Sequence, residues 1–325
     1  MNIGIIGLGH LGKIHLKLAT EISAFNVSAI YDIDKDIMSN LSYQHNVKSC
    51  SSYEELLSAC DAVLIITPTP THYEIAAQAI KKGKHVFIEK PATDNTDDTK
   101  KLMQLAKEAG VIVQIGHVER FNPAYTAAKE YIKNPLHIDI ERLAIYNSRG
   151  TDVSVILDLM IHDIDLLLNT IKSKIKKIYA SGFSIVSKSA DLAYVRIEFD
   201  NGCVANLTAN RVAQQNIRKM SVFQENTFIS IDLLNKITSI HKIQVITNSS
   251  SPVKGVIIDT GENQQKFEIL NNQPIIHPIN AIKTELECFY KSIAEDYPLA
   301  VSLSDAENAL KVVKEIELQI NSQKG

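Results

Sequence analysis

The sequence predicts an α/β protein of two domains. A doubly wound parallel sheet comes first, followed by an α+β domain with a mostly antiparallel open sheet. Three observations carry this. Over residues 1–117, short apolar runs alternate with helical spacings, strand then helix, with brief breaks. After Arg120 that rhythm gives way to a long apolar helix and then to runs that alternate with period two. The 325 residues also exceed what one core usually serves, at about 150 residues per domain.

In the first half, Ile3 to Ile6 is an apolar run, as expected of a strand buried on both faces. Leu11, Ile14, Leu18 and Ile22 repeat at helical spacing. Val27 to Tyr31 is a strand that ends at Asp32, and Asp34 to Gln44 is a helix. Tyr53 to Ala59 is another helix, with Ser51 or Ser52 as its cap. DAVLIIT, from Asp61 to Thr67, is a strand, and Thr71 to Lys82 is a helix stopped by Gly83. HVFIE is a strand, Asp97 to Ala109 a helix ending at Gly110, and VIVQIG a strand.

The domain boundary is placed at residue 118, with 118–325 as the second domain. Phe121 to Ile132 reads as a helix opened by Asn122-Pro123, Ile138 to Tyr146 as a strand, and Val155 to Ile171 as a long helix. Strands follow at Ile175 to Ser184, Ala193 to Phe199 and Val204 to Asn210, with a hairpin at Asp200-Asn201-Gly202. Val195, Ile197 and Phe199 alternate with Tyr194, Arg196 and Glu198, so one face is expected buried and one polar. More strands are expected from Lys219 to Phe267, with loops at Asn248 to Pro252 and Gly261 to Gln265. Two helices close the chain, Ala281 to Glu295 and Ser304 to Gln319, free to pack back on the first domain.

Gly7-Leu8-Gly9-His10-Leu11-Gly12 matches G-x-G-x-x-G between a strand and a helix. Gly7 permits the tight turn, Gly9 lets the backbone approach a pyrophosphate, and Gly12 lets helix and sheet pack closely. The backbone of this loop, including His10 and Leu11, would face the phosphates at a helix N-terminus. Asp32 stands twenty residues beyond Gly12 at the end of the second strand. Its carboxylate can accept from the ribose 2′-OH of NAD and would repel the 2′-phosphate of NADP. No arginine adjoins it, and Lys35 is the nearby cation that could shift the balance. The expected cofactor is therefore NAD rather than NADP. Thr67 and His72 stand at and after the end of the DAVLIIT strand on the cofactor's side; cofactor contact and simple loop structure both remain open for them.

GIIGLGHLG, ITPTPTHYEIAAQAIKKGKHVFIEKPA, HVERFNPA and ILDLMIHDIDLLL stand in this chain in the order seen in the Gfo/Idh/MocA oxidoreductases. The chain resembles that family over the nucleotide domain and the start of the second domain, and PLAVSLSDAENALKVV looks like its usual C-terminus. The resemblance implies that Lys90, in Glu89-Lys90-Pro91, lies beside the nicotinamide, and that Asp158 and His162 form the family's D-x-x-x-H pair. It implies an arginine near the substrate at Arg120. Met160 stands where the family often has glycine. The chain is also similar to the nucleotide-sugar 3-dehydrogenase branch. The implied activity is NAD-dependent oxidation of a secondary hydroxyl of a sugar or nucleotide sugar, UDP-N-acetylglucosamine foremost. Oxidation of a free sugar or inositol stays open. So do redox-neutral elimination or glycoside cleavage with tightly held NAD, and a non-catalytic NAD-sensing regulator.

Oxidising a secondary alcohol requires a hydride acceptor and a base for the hydroxyl proton. Asp158 and His162 are four apart, hence on one helix face, where the carboxylate can orient the imidazole. His162 is the expected base. Lys90 would hydrogen-bond the same hydroxyl, stabilise its developing charge, or relay the proton. A histidine on a Leu-rich helix is otherwise more often structural, and Asp158, Asp163 and Asp165 could lie on a solvated side. For Arg120 the alternative is a salt bridge with Glu119 or Glu89. Arg149, in NSRGTDVS, is the second expected substrate residue: an arginine fork suits a diphosphate. The bland alternative for both arginines is solvated surface charge.

The formal net charge of -3 argues against nucleic acid or an anionic membrane as main partner. No apolar run approaches the roughly 20 residues of a membrane span, and no signal peptide is expected. Cys50, Cys60, Cys203 and Cys288 are scattered without a C-x-x-C pair, so free buried thiols in the cytoplasm are expected and no metal site. A homodimer or homotetramer is expected.

Overall fold

The computed structural model describes residues 1–147, 153–246, 255–259 and 266–322. In chain order the first elements are β1 (Asn2–Ile6), α1 (His10–Thr20), β2 (Asn26–Tyr31), α2 (Lys35–His45), α3 (Tyr53–Ser58), β3 (Ala62–Ile65), α4 (His72–Lys81), β4 (His85–Glu89), α5 (Thr96–Ala109) and β5 (Val113–Gly116). Next come α6 (Pro123–Ala128), β6 (Pro135–Ile145), α7 (Ile161–Thr170), β7 (Ile175–Phe183), β8 (Leu192–Phe199), β9 (Val204–Ala213), β10 (Ile217–Gln224), β11 (Thr227–Asp232) and β12 (Ile237–Val245). The last are β13 (Val256–Asp259), β14 (Lys266–Asn272), α8 (Ala281–Ala294) and α9 (Leu303–Ser322). The chain divides into two units: Met1–Phe121 with Asn280–Lys311, and Asn122–Ile279 with Val312–Gly325.

The first unit carries a parallel sheet in the order β2-β1-β3-β4-β5. Its strands read as unbroken apolar runs because helices cover both faces. Ile3, Ile5, Leu64 and Phe87 are buried toward one layer, Ile65, Val86, Ile88 and Ile115 toward the other. The helix caps are written locally. Asp34 accepts the N–H groups of Asp36 and Ile37 at the head of α2, and Ser52 that of Glu55 at the head of α3. Gly110 closes α5 in the left-handed region at φ 65°. Late in the chain, α8 returns to this unit and buries Leu286 and Phe289 in its core, the Phe289 ring 6.0 Å from that of Phe87.

The second unit is a nine-stranded sheet ordered β13-β14-β12-β11-β10-β6-β9-β8-β7. Its pairs are antiparallel except β6 with β9. Gly202 turns β8 into β9 at φ 86°, and Val195, Ile197 and Phe199 are buried while Tyr194 and Arg196 are exposed. The loops expected at 248–252 and 261–265 lie outside the described residues.

Two predicted helices differ in form. The helix expected over Phe121 to Ile132 is a 3₁₀ turn at Val118–Phe121, then α6, then a 3₁₀ turn at Lys129–Tyr131. Pro123 has no N–H to continue an earlier turn and instead starts α6, capped by Asn122. The helix expected over Val155 to Ile171 opens as a π turn at Ile156–Met160 and becomes α-helical only from Ile161.

Candidate active site

In the first unit the residues singled out by sequence gather at the C-terminal ends of the parallel strands. Gly7 leaves β1 at φ 92°, where a side chain would also press on the Ile66 carbonyl. A Cβ at Gly12 would collide with the Gly7 carbonyl oxygen, which is the close helix–strand approach the motif requires. Beside Gly9, by contrast, a Cβ would meet nothing within 4 Å. Gly9 is the N-cap of α1, no side chain caps this helix end, and no acidic residue occupies its first turn. His10 is exposed and Leu11 half-buried beside it. An open cradle at an uncapped, positively polarised helix end fits the pyrophosphate of a dinucleotide.

Asp32 joins this loop directly. Its carboxylate accepts the N–H of Leu8 through one oxygen and that of Asp34, at 2.8 Å, through the other. It is partly exposed, so each oxygen keeps lone pairs for ribose hydroxyls.

Thr67 follows β3. Its hydroxyl accepts from Thr71 at 2.7 Å, and its carbonyl lies 2.7 Å from His72 Nε2. His72 Nδ1 lies 2.9 Å from the Pro91 carbonyl, and the ring is buried. Of the two roles open to His72, these contacts serve loop structure: both ring nitrogens face backbone carbonyls, and the side chain ties two turns together. Glu89 likewise points inward. Its Oε1 lies 2.8 Å from His15 Nε2, and its Oε2 accepts the Lys90 N–H at 3.1 Å. A carboxylate so engaged backs the Lys90 turn. Lys90 itself is half-buried.

Arg120 has partners within its own unit. Its guanidinium donates to the Ala300 carbonyl at 3.0 Å and lies 3.5 Å from Asp305, with the side chain 8% exposed. Burial works to raise the Asp305 carboxyl, but the Arg120 charge and hydrogen bonds from Ser302 outweigh it and hold it below its ordinary value. Asp305, of the same unit, is thus an ion partner of Arg120 that the sequence did not suggest. Arg149 lies outside the described residues.

In the second unit Asp158 lies in the π turn and His162 in the first turn of α7; both are half-buried, and His162 stands between buried Ile161 and Asp163. The pair therefore spans a π-to-α junction rather than a uniform α-helix, and π turns recur at functional sites. Met160 is fully buried at that junction. Asp163 and Asp165 are not on a solvated side: both are 1% exposed. Asp163 receives Arg142 of β6 through Nε at 3.0 and 2.9 Å and through a terminal nitrogen at 2.7 Å.

A second buried arginine, Arg211 of β9, holds the approach to the π turn. It donates to Asp191 at 2.8 Å, to the Val153 carbonyl at 2.8 Å and to Ser189 at 2.8 Å. Asp191 also accepts the N–H groups of Ile185, Val186 and Ser187 at 2.7–2.8 Å. The Val155 N–H bonds the Ala190 carbonyl, and the Asp158 N–H bonds the Ser154 carbonyl. His15, Arg142 and Arg211 were absent from the sequence reading. Their signal was a polar residue in an apolar pattern: His15 four after Leu11 in the helical stripe, and each arginine two after an inward apolar residue (Ile140, Ala209) of its strand.

Comparison with known proteins decides the lineage. Residues 1–117 match the family described as "Oxidoreductase family, NAD-binding Rossmann fold", and residues 102–229 match the GFO/IDH/MocA C-terminal domain. UDP-N-acetylglucosamine 3-dehydrogenase from Acidithiobacillus ferrooxidans is 31% identical over 304 residues, 92% of this chain and 90% of that protein. The chain belongs to the Gfo/Idh/MocA oxidoreductases. As a member of that family it is an NAD(P)-dependent dehydrogenase acting on CH–OH groups, and its first 117 residues are an NAD-binding domain. A second relative within the family is myo-inositol 2-dehydrogenase from Thermotoga maritima, 26% identical over 95% of this chain and 93% of that one. The solved structure of the Acidithiobacillus enzyme superposes with a TM-score of 0.88 at 28% identity, over 99% of this chain and 98% of that one. No described helix is long and apolar enough to cross a membrane.

Proposed function

We propose that the protein oxidises a ring hydroxyl of a nucleotide sugar, with UDP-N-acetylglucosamine as the foremost substrate. The observation that carries this reading is the end-to-end match to a relative of that name, at a level above that to the inositol dehydrogenase. Bound NAD⁺ supplies the hydride acceptor. The glycine loop and the α1 N-terminus hold its pyrophosphate, and Asp32 accepts from its ribose. Lys90 hydrogen-bonds the reacting hydroxyl and stabilises the charge that develops on its oxygen. His162 takes the hydroxyl proton, and Asp158 orients the imidazole and steadies its charged form. The carbon loses its hydrogen with both electrons, the oxygen loses a proton to His162, and a ketone results. Arg149 is assigned to the diphosphate.

The second unit is assigned to substrate binding and to self-association as a dimer or tetramer. Exposed Tyr179, Phe183 and Tyr194 on β7 and β8 support the latter; light scattering tests it. The substrate test is a panel of UDP-sugars, free sugars and inositols with NAD⁺, followed by NADH absorbance. UDP-N-acetylglucosamine is expected to give the highest kcat/KM. Far more efficient oxidation of free glucose or inositol would overturn the nucleotide-sugar assignment and leave the dehydrogenase standing. In the same assay Arg149→Ala should raise KM for the UDP-sugar with little change in kcat, as loss of uniform binding requires.

A further inference from the structure

Two buried histidines bracket Lys90. On its N-terminal side, His15 is 0% exposed and its Nε2 lies 2.8 Å from Glu89 Oε1. The other carboxylate oxygen accepts the Lys90 N–H at 3.1 Å. Gly116 of β5 presses on the same carboxylate: a Cβ there would come within 2.9 Å of it. Glu89 is thus wedged between α1 and β5. On the C-terminal side, His72 is 1% exposed and reaches the Pro91 carbonyl at 2.9 Å and the Thr67 carbonyl at 2.7 Å. Both ring nitrogens are thus engaged by backbone carbonyls of two different turns.

We propose that His15 and His72 are positioning residues that clamp the backbone on both sides of Lys90 and so aim its amine at the reacting hydroxyl. The proposal rests on the reading of Lys90 given above. The chain before Lys90 is tied to α1, the helix that starts at the glycine loop. The chain after it is tied to α4 and to the turn after β3. The residues at both neighbouring positions are therefore fixed to separate elements, and the lysine's Cα inherits that placement. Histidine suits both ties because a flat ring reaches a partner on a neighbouring element while staying in an apolar layer; His15 packs its ring 5.6 Å from that of Phe87. Displacing a catalytic group by about 1 Å costs on the order of a hundredfold in rate, so clamps of this kind act on kcat rather than on cofactor affinity.

The test combines two readouts. Competitive acetylation with acetic anhydride in the absence of NAD, read by peptide mass spectrometry, compares Lys90 with Lys81 and Lys84. In His15→Leu and His72→Leu the Lys90 rate should change relative to those two lysines, while His15→Gln, which keeps an N–H toward Glu89, should stay near wild type. Hydride transfer with UDP-N-acetylglucosamine should fall at least about tenfold in both Leu variants, with NAD⁺ affinity by calorimetry preserved. Folded Leu variants with wild-type Lys90 acetylation and wild-type hydride transfer would overturn the clamp. If a Leu variant fails to fold, His72→Asn, whose shorter side chain cannot span both carbonyls, takes its place under the same outcomes. Full turnover in Lys90→Ala would instead sink the role of Lys90, and the acetylation readout on the wild-type lysine would still judge the clamp.

Discussion

Asp32 holds the glycine loop with the carboxylate that we assign to the cofactor's ribose. The N–H groups of Leu8 and Asp34 fix it in place, so its charge sits at a defined point beside the dinucleotide cradle. A 2′-phosphate would meet that charge, whereas a 2′-hydroxyl can donate to it. NAD⁺ should therefore bind more tightly than NADP⁺ in calorimetry. Asp32→Ala should narrow the gap and Asp32→Arg should favour NADP⁺; a wild-type preference for NADP⁺ would contradict the assignment. The cysteines behave as small core residues. Burial pushes the Cys60 and Cys203 thiols up to about 11, so neither should react with a thiol reagent at neutral pH until the protein unfolds. Cys288 is only half-buried, unlike the buried thiol the sequence predicted.

At the scale of elements, buried arginine–aspartate pairs anchor the helix that carries Asp158 and His162. Arg142 and Asp163 are both almost fully buried. Arg142→Met should destabilise the protein by about 3–5 kcal/mol in urea unfolding, because Asp163 is left as an uncompensated buried charge. An unchanged midpoint would show that the pair carries no such weight. These anchors explain what the sequence disclosed and what it hid. The parallel strands were legible because each is an apolar run with helices on both sides. The β8–β9 hairpin was legible because Gly202 supplies the turn. The π turn was not, because its apolar spacing matches that of an α-helix and the extra residue per turn is set by packing. Glu89, Arg120 and His72 were found by type and place. Their inward partners, His15, Asp305 and two backbone carbonyls, depend on contacts far apart in the chain.

For the whole molecule, stability should respond to acid through its paired carboxylates. Burial alone would raise Asp191, but the N–H groups of Ser187 and Val186 and the Arg211 side chain hold it far below the ordinary carboxylate range. A lowered folded value means that its stabilisation is complete above the unfolded value of about 3.9 and fades as pH falls below it. Thermal midpoints should drop below about pH 4. Asp191→Asn should start lower and fall less steeply there; parallel curves would show that Asp191 is not the titrating group that matters. The central claim is that this chain moves a hydride from a nucleotide sugar with Lys90 and His162 managing the hydroxyl. Single-turnover NADH formation from UDP-N-acetylglucosamine, with NAD⁺ binding measured alongside, tests it most directly. The account predicts rapid formation in the wild type and a loss of at least about a hundredfold in both Lys90→Ala and His162→Ala, with NAD⁺ binding intact. Near-normal formation in His162→Ala, or none from the wild type, would contradict it.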